Sequence, residues 1–418
     1  MQRLVLTNAT LIDNDAGAKP GATIEIAGER IESVSFGATA ARRPDARVVD
    51  LAGASVMPGL WNCHYHAAYK GVGGQPLPVG MDAPPSLQAI RAADHVRLAV
   101  EAGFTGVIGA GAPYAIDASL KLAIEEGTIP GPRIMCGSRD VSTTGHSQDK
   151  FYAWHWPEGS PPSVVRADGP EEFRRAIRDE IKRGSEIIKI FATGGHAVDG
   201  VPGKMDLTAE ELGAACDAAH MRNAKVRAHI ANKLGIMTAL AVGVDVIDHG
   251  DGLDDEAIEA FLKTGAYLVP SMLYPYKVSQ IRQGPNIDKM RAEMDKMVEV
   301  LPKANKAGVK ILLGDDFGAL PLEHGDYADE LDFYVNYVGI AALDVIGWGT
   351  RNGAALYGRD KLGDIRPGYL ADLVVIDGDP LADIKLLQDK SKLKAVIKGG
   401  AFLKDALDGL AGRSRAAA

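Results

Sequence analysis

The chain has 418 residues, 46% hydrophobic and 24% charged, a balance that suits either two or three domains or one large barrel with an appendage. With 55 acidic against 46 basic side chains its net charge is −9, so no basic surplus exists to neutralise phosphates, and nucleic acid is excluded as an expected partner. Cys63, Cys136 and Cys216 form no disulfide framework. The first apolar run is too short for a signal peptide and no stretch could span a bilayer, so a cytoplasmic, membrane-free enzyme of small molecules is expected.

The chain opens on short β-rich runs at 4–8, 22–26 and 31–35, with a turn at 27–30. Apolar runs then recur at 56–61, 105–110, 133–137, 187–191, 225–228, 244–247, 267–270 and 310–313. Helical patterns lie between them, such as 170–183 and a helix opened by Thr208 with Glu211 completing a capping box. Eight strands alternating with helices predict an α/β fold, a (β/α)8 TIM-like barrel over 58–359. A doubly wound sheet fits less well, because no GxGxxG follows the first strand. Further strands are predicted at 373–376, 396–398 and 401–404. Neither chain end is apolar enough to fold alone, so 1–57 and 360–405 are expected to pair into one small β-sandwich domain.

Two insertions follow barrel strands, on the side where such barrels carry their chemistry. Residues 70–85 are rich in Gly and Pro, and 141–162 carry His146, Phe151, Tyr152, Trp154, His155 and Trp156. The aromatic cluster reads as a substrate wall, with Tyr152, Trp154 and Trp156 as contacts, or as a loop packed on itself.

His64 and His66 end the first predicted barrel strand, two apart and therefore on one side, while Cys63 and Tyr65 face the helices. Two converging imidazoles suit a borderline-soft divalent metal, though the pair alone is a weak signal. His229, His249 and Asp316 follow later strands, and a barrel gathers all strand ends around one mouth. Lys189 sits in the apolar run Ile187-Ile188-Lys189-Ile190-Phe191 with no carboxylate beside it in the sequence. A buried unpaired ammonium is costly, so this lysine either reaches the surface, is modified or binds metal.

Eight ordered motifs carry a resemblance. Met57-Pro58-Gly59-Leu60 leads into the HxH pair; Glu101-Ala102-Gly103-Phe104-Thr105 and Gly131-Pro132-Arg133-Ile134 follow; then come Lys189 with Gly194-Gly195, Arg227-Ala228-His229, and Ile247-Asp248-His249-Gly250. Gly314-Asp315-Asp316 and Gly363-Asp364-Ile365-Arg366-Pro367-Gly368 complete the set. The chain resembles the amidohydrolase superfamily, in the branch of Xaa-Pro dipeptidases, imidazolonepropionase-like enzymes and amide-cleaving detoxification enzymes. The resemblance implies two divalent metal ions, with zinc as first choice. His64, His66 and Asp316 would hold the more buried ion and His229 with His249 the more exposed one. Lys189, as N6-carboxylysine, would bridge them. It also implies a hydroxide nucleophile between the ions and Asp316 as the proton carrier. His146 stands where this branch often contacts the substrate oxyanion, the alternative being a solvated loop histidine. Ala231 departs from the pattern, which often has a second histidine there, and Asp315 replaces a small hydroxyl residue.

His196 reads as a cavity-lining residue or a cap, and His324 as a contact to a ligand; His95 and His220 fall in helical patterns and read as surface residues. The expected activity is hydrolysis of an amide C–N bond in a small molecule such as a dipeptide or N-acyl amino acid, by a homo-oligomer. Ring opening of a cyclic amide or imidazolone, heterocycle deamination, and a non-catalytic assembly protein are the alternatives. The last would be expected to have lost ligands that are all present here.

Overall fold

A computed structural model describes residues 3–37, 46–153, 155, 162–196, 198, 200, 201 and 203–410. The N-terminal strands are β1 (Arg3–Asp13), β2 (Gly17–Ala27), β3 (Arg30–Phe36), β4 (Ala46–Asp50) and β5 (Ser55–Pro58). The middle of the chain supplies β6 (Leu60–Tyr65), β7 (Phe104–Gly109), β8 (Arg133–Met135), β9 (Gly137–Ser142), β10 (Val164–Arg166), β11 (Ile187–Phe191), β12 (Lys225–Ile230), β13 (Val246–His249), β14 (Tyr267–Val269) and β15 (Lys310–Ile311). The C-terminal strands are β16 (Leu373–Ile376), β17 (Leu393–Lys398) and β18 (Ala401–Asp405).

Strands from both chain ends share one sheet, ordered β18-β17-β16-β5-β1-β2-β3 with β4 also on β1. The seam between the two ends is the antiparallel pair β5 and β16, in which Val56 faces Val375 and Pro58 faces Leu373. Leu6, Ile24, Val56, Leu373, Val375 and Ile397 from both ends bury together in its core, which neither end could fill alone.

The barrel strands are all parallel. Strands β6-β7-β8 form one ladder and β10-β9-β11-β12-β13-β14-β15 the other, with β8 running into β9 through Cys136. The ring closes where Cys63 N–H donates to the Leu313 carbonyl at 2.7 Å. Gly314 makes that closure fit, since a Cβ there would stand 2.3 Å from His64 N. Every residue of β6, β7 and β11 is buried, as expected of strands covered by helices outside and by side chains inside. The predicted capping box exists: Thr208 Oγ1 accepts from Glu211 N at 3.2 Å, and Glu211 Oε2 accepts from Thr208 N at 2.7 Å.

One expectation is corrected. The run 56–61 is not a single barrel strand but two strands in different sheets, β5 and β6, broken between Pro58 and Leu60. Pro58 has no N–H to give a ladder, and Gly59 passes so close to Thr105 that a Cβ would lie 2.0 Å from its Oγ1.

The closure generates a prediction. Gly314→Ala should lose about 1–3 kcal/mol in urea unfolding, because the methyl group meets backbone. Gly347→Ala, which meets nothing within 4 Å, should be neutral or slightly stabilising.

Candidate active site

The strand ends deliver six of the sequence-predicted side chains to one cavity of about 410 Å³: His64, His66, Lys189, His229, His249 and Asp316 all line it, as does His196. Ligand-type atoms of His64, His249 and Asp316 lie within 4.8 Å of one another, a grouping able to hold a metal ion. Asp316 Oδ1 is 3.2 Å from His64 Nε2 and 3.3 Å from His66 Nε2. His229 and His249 meet edge to face with ring centroids 4.5 Å apart.

The imidazoles are set up as ligands. Burial pulls His66 down to about 4, against the pull of Asp316. Burial, then Lys189 and His196, take His229 well below the usual histidine range; burial, then His196 and His229, do the same to His249. These three rings are therefore neutral at pH 7, the form that coordinates metal. Second nitrogens face the wall: His66 Nδ1 to the Gly111 carbonyl at 3.3 Å and His229 Nε2 to the Gly195 carbonyl at 3.1 Å. His249 Nδ1 is buried with no hydrogen-bond partner among the described residues. An orphaned nitrogen inside a cluster of neutral imidazoles and one anion fits a divalent cation.

Strand end β13 places two residues inward: Asp248 lies on the same side as Val246 by strand alternation, and His249 joins it because its φ is 71° and the chain turns there. Asp248 therefore also faces the barrel axis, and this corrects the reading of Lys189 as unpaired. Lys189 Nζ donates to Asp248 Oδ2 at 2.6 Å. Arg227, fully buried, donates to both Asp248 oxygens at 3.1 and 2.5 Å and to the carbonyls of Cys63 and Gly109 at 2.8 and 3.0 Å. His64 Nδ1 lies between the Arg227 guanidinium at 3.2 Å and Asp248 at 3.4 Å, contacts that hold the ring with Nε2 towards Asp316.

Asp315 and Asp316 diverge as neighbours at a strand end must. Burial would raise the Asp316 carboxyl, but His64 and His66 hold it well below the usual range. Asp315 points away and caps the helix Leu273–Ile281, accepting from Leu273 N at 2.8 Å and Tyr274 N at 3.2 Å. Burial, then the Asp316 charge, push it up to about 7.

His196 stacks on His249 at 3.9 Å and is held between Asp251 (3.2 Å) and the Ser271 carbonyl (3.1 Å). Burial opposes its charge, yet Asp251 raises it to about 9. Its loop crosses close to Ala231, since a Cβ on Gly195 would stand 2.6 Å from the Ala231 Cβ. The small residue that departs from the expected pattern thus makes room for this loop.

Other expected residues are placed differently. His146 is not among the cavity-lining residues and pairs with Asp206 at 3.1 Å. Tyr152 also stands outside the lining, its hydroxyl 3.2 Å from the Val79 carbonyl and from Ser163 Oγ. Trp154 and Trp156 lie outside the described residues. His95, read as a surface residue, is buried and stacks on His324 at 3.9 Å, whereas His220 is exposed and pairs with Asp245. The wall comes mainly from the Gly/Pro-rich insertion, including Val72, Leu77 and Val79, with Phe151 from the aromatic loop. Sequence reasoning passed over Tyr69, Phe191 and Tyr274, which line the cavity, and Arg227 with Asp248 beneath it. The signal for the last two was present: a charged residue inside an apolar strand, the same argument that singled out Lys189.

The chain is similar to known proteins over most of its length. The amidohydrolase family profile matches residues 55–403. The ochratoxinase of Aspergillus niger is 31% identical over 373 residues, covering 84% of this chain and 75% of that protein. Its crystal structure superposes with a TM-score of 0.85 at 27% identity, covering 97% of this chain and 96% of that one. A prolidase solved in complex with N-methylphosphonate-L-proline gives 0.85 at 30% identity, over 96% of this chain and all (100%) of the other. An Xaa-Pro dipeptidase with bound methionine in its active site gives 0.84 at 29%, with 96% and 100% covered.

Two predictions arise here. Asp316→Asn should lower kcat by about 10²-fold or more at matched metal content, while Asp315→Asn should cost far less; the reverse order overturns the assignment. For the metal-free protein, His196 has a folded pKa raised from 6.5 to about 9. Its charge therefore stabilises fully below pH 6.5, and that contribution is lost as pH rises through about 9. The Tm deficit of His196→Asn should shrink over this window, and a pH-independent deficit contradicts the pairing.

Proposed function

The chain belongs to the amidohydrolase family, as a metal-dependent hydrolase of C–N bonds, and on that footing we propose that it cleaves the amide bond of a dipeptide or N-acyl amino acid. The observation that carries this is the convergence of His64, His66, His229, His249 and Asp316 on a cavity that is otherwise largely apolar. Relatives solved with N-methylphosphonate-L-proline and with methionine support a substrate of amino-acid size.

Two divalent ions, zinc in the first instance, would be held by His64, His66 and Asp316 and by His229 with His249, with N6-carboxylated Lys189 between them. Ions so placed lower the pKa of bound water and polarise the amide carbonyl. Carboxylation would replace the positive charge of Lys189 with a negative one, and Arg227 would then be the cationic partner left to Asp248, through two hydrogen bonds. Asp316, kept ionised, takes the proton of the attacking water and delivers it to the departing nitrogen as the C–N bond breaks. The apolar wall of Val72, Leu77, Val79 and Phe151 receives the acyl side chain and excludes water around it. His196 is spent on Asp251 and Ser271, and so holds its charge in place beside His249 without moving a proton.

Elemental analysis should find about two divalent ions per chain, and a panel of Xaa-Pro dipeptides, N-acyl amino acids and cyclic amides should show turnover of the first two. Full activity at near-zero metal overturns the reading. Lys189→Ala should lose most metal and activity, with partial rescue by short carboxylic acids; an undiminished variant refutes the bridge.

A further inference from the structure

Three segments outside the ligand set meet behind His66. The Tyr69 ring lies flat on the His66 imidazole, centroids 3.9 Å apart and planes 5° from parallel. The polar hold on that imidazole from the wall is its Nδ1 contact with the Gly111 carbonyl, long at 3.3 Å. Tyr69 is itself fixed by its backbone. Its N–H donates to the His66 carbonyl at 3.0 Å, and its own carbonyl accepts from His324 Nε2 at 3.0 Å. His324 Nδ1 accepts from the Tyr327 hydroxyl at 2.9 Å, which fixes the tautomer that leaves a proton on Nε2. His95, from the helix Pro85–Glu101, stacks on the other side of His324 at 3.9 Å and bonds the Ala67 carbonyl at 2.8 Å.

The backbone is shaped for this arrangement. Gly318 has φ +95°, and a Cβ on it would stand 2.6 Å from His324 Nε2 and 2.7 Å from the Tyr69 Cβ. Val72 N donates to the Gly318 carbonyl at 3.0 Å and Leu320 N to the Val72 carbonyl at 2.9 Å. The loop after β6, which follows His66, is thereby laced to the loop after β15, which follows Asp316.

We propose that His324 is a positioning residue of the metal site, holding Tyr69 as a plate that sets the plane of the His66 imidazole. An imidazole turns easily about its last torsion, and a tilt of some tens of degrees swings the Nε2 lone pair off its target; a flat ring pinned at its backbone removes that freedom. The action runs through the Tyr69 ring and not its hydroxyl. The inference rests on the proposed role of His66 as a ligand.

Metal affinity, measured by zinc competition against a chromophoric chelator, tests it without reference to turnover. His324→Phe keeps a ring on His95 but has no donor, and Tyr69→Leu removes the plate; each should weaken zinc binding about tenfold, the lower end of what outer partners of a ligand contribute. Tyr69→Phe, which keeps the plate, and His324→Gln, which can still donate to the Tyr69 carbonyl, should stay within about twofold of the parent. The double variant Tyr69→Leu/His324→Phe should lose about tenfold and not a hundredfold, because both changes break one chain of contacts. Multiplying losses in the double variant, or a folded His324→Phe with unchanged affinity, overturns the proposal. If His324→Phe does not fold, the Tyr69 pair decides, and equal affinity of Tyr69→Leu and Tyr69→Phe overturns it. His66→Ala separates the two readings: loss there with none in His324→Phe removes the brace alone, whereas no loss in His66→Ala removes the ligand assignment beneath it.

Discussion

The ion pair of Arg227 with Asp248, both without solvent exposure, is the support on which the site is built. A charge buried this deeply is tolerated only when its donors and acceptors are taken up. The guanidinium meets that condition with Asp248 and the carbonyls of Cys63 and Gly109, thereby tying β12 and β13 to β6 and β7 across the barrel. Removing either partner would strand the other. A well-packed apolar replacement could match the pair's stability but could not replace its action on the site, because Asp248 also faces Lys189 and the Nδ1 side of His64. One carboxylate thus orients a ligand-type imidazole and partners the lysine at the centre of the site.

Above this floor the loops have separate duties. The insertion after β6 forms most of the apolar wall, and the loop after β15 carries Asp316 and is laced to it. The loop after β11 carries His196, fixed by Asp251. Asp315 belongs to the scaffold, holding the end of the helix that places Tyr274 at the cavity. Adjacent carboxylates with opposite pKa tendencies, one beside imidazoles and one buried against backbone N–H groups, show how a half-turn of strand divides their roles.

Legibility followed the range of each interaction. The ligand-type residues could be read because motifs and strand periodicity are local, and a barrel by its geometry gathers strand ends. The capping box at Thr208 and Glu211 was legible for the same reason. The partner of Lys189 was not, because Asp248 lies on another strand, and it shares the inward side with its neighbour His249 only because the chain bends there. Likewise His95 and His220 look alike as helical histidines. What separates them is that one helix lies against His324 and the other leaves its histidine in solvent beside Asp245.

The sequence by itself determined the fold class, the pairing of the chain ends and the ligand-type residues that gather at the cavity, because alternation, apolar runs and ordered motifs are written in near neighbours. Only the tertiary structure decided which charges are paired, where the run 56–61 changes sheets, and which insertion walls the cavity. Those outcomes depend on contacts between residues tens to hundreds of positions apart, as between Arg227 and Cys63 or His324 and Tyr69. Close approaches at Gly59, Gly314 and Gly318 belong with them: each glycine is ordinary in sequence, and becomes necessary only when another strand or ring arrives within a Cβ's reach.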